Sequence, residues 1–287
     1  MMTGDIDIIR DALLAGAIIP YLGPSVLALD ARNEVVPTSP EALVKRLTAK
    51  ASVPHKIRNN LSATAQFIEN FKHRKTVVNL MTEAFSAPVQ PTGLHRYLAG
   101  LTQLPMIVDI WYDNAMESAL KARGAWGQIQ GLSQSEHFGH WTQAFRADGT
   151  KAEEAEVTGW ATLLYKPQGS ITPAANFLVS DTDYVEVITE IDIQTPIPAV
   201  VQQRRSGKSF LFLGCRFANQ LERTFARQIM KRSSAKHRAV LPEPPTKNEL
   251  RFLAEQNIQR IDMPLAEFVA ALTETQTNDL QRRAATN

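Results

Sequence analysis

Cysteine is almost absent from the sequence, as are other features that mark whole classes of protein. The single cysteine, Cys215, excludes an internal disulfide framework and any zinc module built from several cysteines. No stretch approaches the roughly 20 apolar residues that cross a bilayer, so we expect no membrane-spanning segment. Residues 1–7 carry no basic stretch ahead of an apolar core, so we expect no secretory signal and a cytoplasmic location.

The composition that remains is that of an ordinary globular protein. Apolar residues make up 44% and charged residues 21% of the 287 residues, and the mean hydropathy is -0.19. A chain of this length buries a sizeable core without disulfides or structural metal ions. At roughly 100–200 residues per domain, it forms one large domain or two small ones.

The charges nearly cancel, at a net +2, but they are unevenly distributed. Residues 148–192 hold nine acidic residues against two lysines, whereas residues 204–238 hold ten basic residues against one glutamate. Two interpretations stay open. The asymmetry marks a site for an anion or a charged partner, or it reflects two solvated faces that differ in sign.

Part of the basic segment is predicted to be a helix with a cationic stripe. Arg223, Arg227 and Lys231 recur every four residues after Arg216, opposite an apolar stripe. We interpret the helix over residues 216–232 as a candidate surface for a protein partner. Nucleic acid is not favoured, because no aromatic platform and no nucleic-acid motif accompanies the stripe.

Strand and helix patterns alternate along the chain and define its predicted fold. The predicted strands are residues 17–22, 106–110, 160–165, 209–213, 237–241 and 258–261. Helices are predicted over residues 5–16, 62–73, 76–85, 92–100, 113–121, 181–189, 217–232 and 265–272, with further helix starts at Ser39 and Thr246. This alternation predicts an α/β fold with a doubly wound, mostly parallel, Rossmann-like sheet. Ligands of such sheets bind beyond the carboxyl ends of the strands.

Two segments depart from this alternation. Residues 124–149 are rich in glycine, serine, glutamine and aromatic residues, and we interpret residues 124–159 as a small inserted module rather than regular sheet structure. Residues 273–287 are polar and are predicted to form a flexible tail. The rest of the chain, residues 1–272, is predicted to be one α/β domain.

Candidate functional residues follow the predicted strands. Glycine after a strand permits a tight turn or the close approach of a phosphate, and arginine pairs with phosphate. Turn glycines and helix caps are the alternative, purely structural interpretations of the same residues. The candidate binding residues at these positions are Gly23, Ser25, Asp113, Gly169, Ser170, Gly214 and Arg216.

The order and spacing of these strand ends resemble a known family, the sirtuin-like domains. The resemblance covers roughly residues 8–272 and rests on four segments: Tyr21-Leu22-Gly23, then Leu94 to Leu98 with Tyr112-Asp113 and Glu117, then Lys166-x-x-Gly169-Ser170 with Asp183-Tyr184, and Phe212-Leu213-Gly214. It fits the zinc-free bacterial branch, whose members often hydrolyse NAD in defence against phage. The resemblance implies NAD or ADP-ribose as the ligand and no metal.

Three positions differ from the family pattern. Ser25 occupies the place of the family's second glycine, after Pro24, which has no N–H. Trp111 stands where active members have a catalytic asparagine, and its indole, which accepts no hydrogen bond, would fill the space of the nicotinamide ring. Gln168 stands where they have a catalytic histidine, and glutamine does not titrate. These differences imply little NAD hydrolysis by the family mechanism, and a deacylase is less favoured still.

Other residues are candidates to replace the missing catalytic groups. Asp109 lies two residues before Trp111, and either Asp109 or Asp113 is a candidate to orient a water molecule, although a structural carboxylate is the simpler interpretation. His137 and His140 have no third ligand at a convincing spacing, so no metal is predicted.

Two functions therefore stay open. The favoured one is a catalytically degenerate domain that binds NAD, ADP-ribose or a protein partner without turnover. The alternative is an active NAD hydrolase with altered catalytic residues, a glycohydrolase rather than a deacylase. The sequence leaves the oligomeric state open.

Overall fold

An eight-stranded sheet forms the centre of the structure, a computed structural model that describes residues 3–190 and 196–284. Its strands are β1 Ile18–Leu22, β2 Met106–Asp109, β3 Trp126–Gly131, β4 Thr142–Arg146, β5 Thr162–Lys166, β8 Ser209–Leu213, β9 His237–Val240 and β10 Ile258–Ile261. They lie in the order β10-β9-β8-β1-β2-β5-β3-β4, and all neighbours are parallel except β3 and β4. Two short antiparallel strands, β6 Gly169–Ser170 and β7 Asn176–Phe177, pair separately. The predicted doubly wound, mostly parallel sheet is confirmed.

Helices cover the sheet, and several begin at capping residues that are predicted from the sequence. Ser39 accepts a hydrogen bond from the backbone of Ala42, and Thr246 forms a capping box with Glu249. The helices are α1 Thr3–Leu14, α2 Pro40–Lys50, α3 Leu61–Lys72, α4 Arg74–Ala84, α5 Gly93–Gly100, α6 Ala115–Leu120, α7 Glu154–Val157, α8 Asp181–Glu190, α9 Ala199–Arg205, α10 Gln220–Met230, α11 Lys247–Glu255 and α12 Leu265–Ala284.

The apolar residues form three clusters. One face of the sheet packs against α8, α9, α10 and α11, and the other packs against α1, α5, α6 and α12. The third cluster joins α2, α3 and α4 into a helical layer, defined by its buried residues, that contacts the segment following β2. Strands buried on both faces read as continuous apolar runs, which is why β1, β2 and β8 could be predicted from the sequence.

The segment over residues 124–159 differs from the prediction, because its central part is regular sheet structure. β3 pairs in parallel with β5, and β4 pairs with β3 in the antiparallel sense to form the sheet edge. The glutamines of β3 are buried but satisfied, since Gln130 donates to Gln128 at 2.8 Å. A buried strand with polar side chains carries no apolar pattern, so the interpretation as an irregular insert was wrong.

The C-terminal segment also differs from the prediction. α12 continues through Ala284, so the tail predicted from residue 273 has helical backbone as far as residue 284. Its sequence holds glutamate, glutamine, leucine and arginine and no glycine or proline, which favours the continuation of a helix. Residues 285–287 lie outside the described part of the chain, and flexibility of this segment in solution stays a prediction.

Candidate functional site

Four neighbouring strands bring the candidate residues to one edge of the sheet. β8, β1, β2 and β5 are adjacent and parallel, so their carboxyl ends lie side by side. Gly23 and Gly214 follow β1 and β8 directly, and Gln168 is the second residue after β5. This edge is where a doubly wound sheet would bind a nucleotide.

The first strand-end loop offers no free backbone donor to an anion. The Gly23 N–H donates to the Leu213 carbonyl at 2.9 Å, and the Ser25 N–H donates to the Gly214 carbonyl at 3.0 Å. Pro24, between them, has no N–H. The amides that would hold a phosphate are therefore already bonded to the loop after β8.

The glycines at this edge are required by contact between the two loops. A Cβ atom at Gly23 would lie 2.5 Å from the Gly214 carbonyl oxygen and from Cys215 Cβ. Gly214 has φ of +69°, and a Cβ there would lie 2.7 Å from the Val26 nitrogen. Both glycines therefore permit close packing of the two loop backbones, which is the structural interpretation of strand-end glycines given above. The Ser25 side chain is exposed.

Arg216, a candidate phosphate ligand, is held by carboxylates. Its Nε and Nη2 each lie 2.9 Å from an oxygen of Glu249, and its Nη1 contacts Glu243. Burial alone would raise the pKa of Glu249, but hydrogen bonds from Arg216 and Thr246 lower it to about 2. This bidentate pair anchors the loop after β8 to α11 and occupies the guanidinium.

The cavity found between the strand ends is small. It measures about 10 Å³ and lies between Gln168, Cys215, Arg216 and the aromatic residues Tyr21, Phe217 and Phe225. A single water molecule needs about that much room, whereas sites for organic ligands measure roughly 300–1,000 Å³. This cavity therefore has no room for a dinucleotide.

Trp111 lies in the helical layer and not in this cavity. Its Nε1 donates to the Pro37 carbonyl at 2.8 Å, and its ring packs against Phe85 and Tyr112 at centroid distances of 5.8 and 5.1 Å. Only 4% of the residue is exposed. The indole thus packs among buried residues of α2, α3 and α4 and donates to Pro37, which precedes α2. That it fills the space of a nicotinamide ring stays a prediction.

A buried ion pair fixes the backbone that carries Trp111. Lys166, which is fully buried, places its Nζ 2.7 Å from Asp109 Oδ2 and 2.8 Å from the Trp111 carbonyl oxygen. Asp109 Oδ1 accepts the Trp111 N–H at 3.1 Å. Both carboxylate oxygens of this candidate catalytic residue are thus engaged in holding the turn after β2.

Two further carboxyl groups lie beside this ion pair. Asp113 accepts the Ala115 N–H at 2.8 Å, and Glu117 accepts weak hydrogen bonds from Ser170 and Thr172 at 3.4 and 3.3 Å. Burial, reinforced by the charge of Asp109, raises the pKa of Asp113 from 3.8 to about 6. Burial raises the pKa of Glu117 from 4.5 to about 7, against the opposing effect of Lys166.

We expect the replacement Glu117→Gln to stabilise the protein increasingly as the pH rises. A carboxyl group whose pKa is raised by folding contributes stability below its unfolded pKa and loses it as the pH rises through the folded value. Between pH 5 and 8 the variant should gain about 2–3 kcal/mol relative to the native chain, measured by urea unfolding. Glu154→Gln, at an exposed position, is the control and should show no such trend. A pH-independent difference for Glu117→Gln would contradict the raised pKa.

His95 and Cys215 have structural positions. His95 is buried in the capping box of α5, and burial lowers its pKa to about 4. Burial raises the pKa of the Cys215 thiol well above its usual range. His137 and His140 are exposed, and the described residues contain no group of three His, Cys, Asp or Glu side chains that could hold a metal ion.

The cations of the basic helix also have partners within the chain. Arg223 donates to the carbonyls of Phe217 and Ala218 at 2.8 Å, and Arg227 lies 3.4 Å from Glu255. A protein partner for residues 216–232 stays a prediction. Among the described residues, none of the helices has both the length and the apolar character needed to cross a bilayer.

Sequence reasoning missed the role of Lys166. The sequence analysis uses the residue only within the motif Lys166-x-x-Gly169-Ser170. A lysine at the end of the buried strand Thr162–Lys166 is itself a sign of a buried ion pair. Lysine is almost never fully buried without a partner, so an acidic partner on a neighbouring strand could have been predicted.

Comparison with known proteins identifies a family. A family model described as a SIR2-like domain matches residues 105–261, which is more than half of the chain. The matched region runs from β2 to the end of β10 and includes Trp111, Gln168 and Gly214. No curated protein matches the sequence.

Proposed function

The chain belongs to the SIR2-like domain family, which is the family that its strand-end motifs resemble, and from this premise we propose that it is a degenerate member. In this proposal the domain neither hydrolyses NAD nor holds a dinucleotide, and it acts through contacts with another protein. The observation that carries the proposal is the small size of the cavity between the strand ends, about 10 Å³.

The hydrogen bonding at the same edge supports the absence of a dinucleotide. Binding a pyrophosphate on the loop after β1 would require the N–H groups of Gly23 and Ser25 to leave their carbonyl partners. Each carbonyl left unpaired in the interior costs about 1–3 kcal/mol. Arg216 would also have to leave Glu249, which is buried.

An exposed aromatic residue supports a role in protein contacts. Phe138, 92% exposed, lies at the tip of the turn between β3 and β4. The His140 N–H donates to the His137 carbonyl at 2.9 Å, and Gly139 has φ of +81°, as a type II turn requires. The turn is tied to the helical layer through Glu136 and Arg74. Exposed aromatic residues on fixed turns are common anchors of protein interfaces.

We expect the purified protein to release no nicotinamide from NAD. The measurement is mass spectrometry of nicotinamide after incubation with NAD, together with thermal unfolding in the presence of NAD or ADP-ribose. A ligand at 100 times its Kd would add about 2.7 kcal/mol of stability, so an unchanged melting temperature at millimolar ligand is the expected result.

The variant Gln168→His tests whether the size of the strand-end cavity, rather than the missing histidine alone, prevents NAD hydrolysis. It supplies the imidazole that active relatives carry, but the side chain would still face a cavity of about 10 Å³. We expect it to remain inactive. Saturable nicotinamide release by the native chain would favour the alternative, an NAD hydrolase with altered residues. Its loss in Asp109→Asn or Asp113→Asn, in a variant whose thermal unfolding shows that it is folded at the assay temperature, would identify the group responsible.

A further inference from the structure

The helical layer formed by α2, α3 and α4 carries an excess of positive charge. Residues 45–75, which run from α2 to the first turn of α4, hold eight lysine and arginine residues against one acidic residue, Glu69. The whole chain has a net charge of only +2, so the layer is far more basic than the rest of the molecule. Such a concentration of one charge attracts a partner of the opposite charge.

Two of the eight cations are neutralised within the chain, and the other six are not. Arg74 is held by three carboxylates, one of which is Glu69, and Lys50 forms an ion pair with Glu83. Because Arg74 engages Glu69, the only acidic residue of the segment offsets none of the remaining charge. The remaining six cations are exposed, and none forms an ion pair with a described residue: Lys45, Arg46, Lys56, Arg58, Lys72 and Lys75.

The two arginines of this set are already held in position. Arg46 Nη2 donates to the Val35 carbonyl at 2.8 Å, and Arg58 Nε donates to the Val53 carbonyl at 2.9 Å. A carbonyl partner leaves the positive charge in place, and the other N–H groups of each guanidinium stay available. A side chain that is already held loses less conformational freedom when it binds an anion.

An exposed aromatic ring accompanies the cations at the end of α3. Phe71 is 71% exposed, and its ring packs on Phe67 at a centroid distance of 4.4 Å. Phe67 packs in turn against the apolar cluster of the helical layer. Lys72 follows Phe71 directly, and Lys75 lies in the first turn of α4, which begins only one residue after α3 ends. The Phe71 ring is thus supported by Phe67 and open to solvent close to two ammonium groups.

We propose that the helical layer binds single-stranded nucleic acid, with phosphates on the six exposed cations and a base stacked on Phe71. Proteins that hold single strands without reading their sequence combine cations along the backbone with aromatic rings on which bases stack. Nucleic acid is not favoured at α10, where no aromatic platform accompanies the cations, whereas in the helical layer the ring and the cations occur together. α3 is about 18 Å long, so Arg58 before it and Lys72 at its end would contact phosphates several nucleotides apart.

The exposed ring favours a single strand over a duplex or an acidic protein. Cations alone would attract any polyanion. A base inside a duplex is stacked on both sides and offers no free face to Phe71. The face of a phenyl ring carries negative charge, so a carboxylate gains nothing from contact with it, whereas the flat surface of an unpaired base stacks on it.

The test is fluorescence anisotropy of the full chain with labelled oligothymidylate and oligouridylate of about 15 nucleotides, compared with a duplex of the same length and with poly-glutamate. We expect the single strands to bind more tightly than the duplex or poly-glutamate. The two oligonucleotides distinguish DNA from RNA, because the proposed contacts are common to both. With six phosphate contacts, raising the salt from about 50 to about 200 mM should weaken binding by on the order of 10²-fold.

Two sets of variants separate stacking from charge. Phe71→Leu keeps an exposed apolar side chain without a ring and should raise Kd about fivefold or more, whereas Phe71→Trp should bind at least as tightly as the native chain. Lys72→Glu combined with Lys75→Glu should raise Kd at least about tenfold and make the salt dependence shallower. Lys121→Glu combined with Lys151→Glu is the control. It makes the same change in net charge at exposed positions outside the helical layer and should change Kd by less than about twofold at physiological salt.

Four results would each overturn the proposal. The first is no binding of either single strand at about 50 mM salt. The second is binding of the duplex or of poly-glutamate as tight as that of the single strands. The third and fourth are an unchanged Kd in Phe71→Leu and an unchanged Kd in the Lys72→Glu, Lys75→Glu variant. These side chains are exposed, so we expect the variants to fold, and their thermal unfolding checks this.

Discussion

Replacing Lys166 with methionine should lower the free energy of unfolding by about 3–5 kcal/mol, measured by guanidinium unfolding. The ammonium group is fully buried and contacts both Asp109 and the Trp111 carbonyl oxygen. Interactions with Asp109, Asp113 and Glu117 outweigh burial and raise the pKa of Lys166, so the group stays charged. Methionine has a similar length, and the cost is therefore electrostatic rather than steric.

The expected loss of stability is large because the variant leaves two buried groups without their main partner. Without Lys166, the Asp109 carboxylate and the Trp111 carbonyl would stay buried without their main partner. The double variant Lys166→Met, Asp109→Leu removes the charge pair together and should recover part of the loss. Lys151→Met, at an exposed position, should change stability by less than about 0.5 kcal/mol. A loss below about 1 kcal/mol for Lys166→Met would show that the ion pair does not hold this turn.

Replacing Trp111 with asparagine should be comparably destabilising, at about 3–5 kcal/mol, and should not create NAD hydrolysis. This variant supplies the amide that active relatives have at the position. The indole, however, fills a site between Phe85 and Tyr112 and satisfies the Pro37 carbonyl. Asparagine would leave a cavity there, and its amide would lie in the helical layer rather than at the cavity beside Gln168.

Two measurements check this expectation. Urea unfolding gives the loss of stability, and Phe138→Asn, which removes an exposed ring, is the control that should change it little. Mass spectrometry of nicotinamide, at a temperature where the variant is folded, gives the activity. Nicotinamide release by Trp111→Asn above the native background would contradict the placement of this residue away from the site.

Much of the fold could be predicted because its strands are buried on both faces. Residues 209–213 match β8, and the cap at Thr246 matches the start of α11. Local pattern decides such elements, since a buried parallel strand must be apolar over its whole length. The polar strand β3 could not be found in this way, because its glutamines are satisfied by each other and by residues distant in sequence.

The candidate site could be predicted only in part, for a related reason. Sequence order predicts that Gly23, Gln168 and Gly214 follow strands whose ends meet. It does not show that Arg216 is already paired with Glu249, 33 residues further on. Nor does it show that Trp111 packs among helices that precede it by tens of residues. Such partners depend on tertiary packing, which periodicity and spacing do not describe.

The contact between the loops after β1 and β8 has a consequence for how this edge tolerates substitution. Each loop holds the other, through the amides of Gly23 and Ser25 and through glycines at which a Cβ atom would clash. A side chain introduced at Gly23 or Gly214 would therefore displace both loops at once. Exposed positions of the domain lack this mutual dependence, so we expect them to accept substitutions more readily than this edge does.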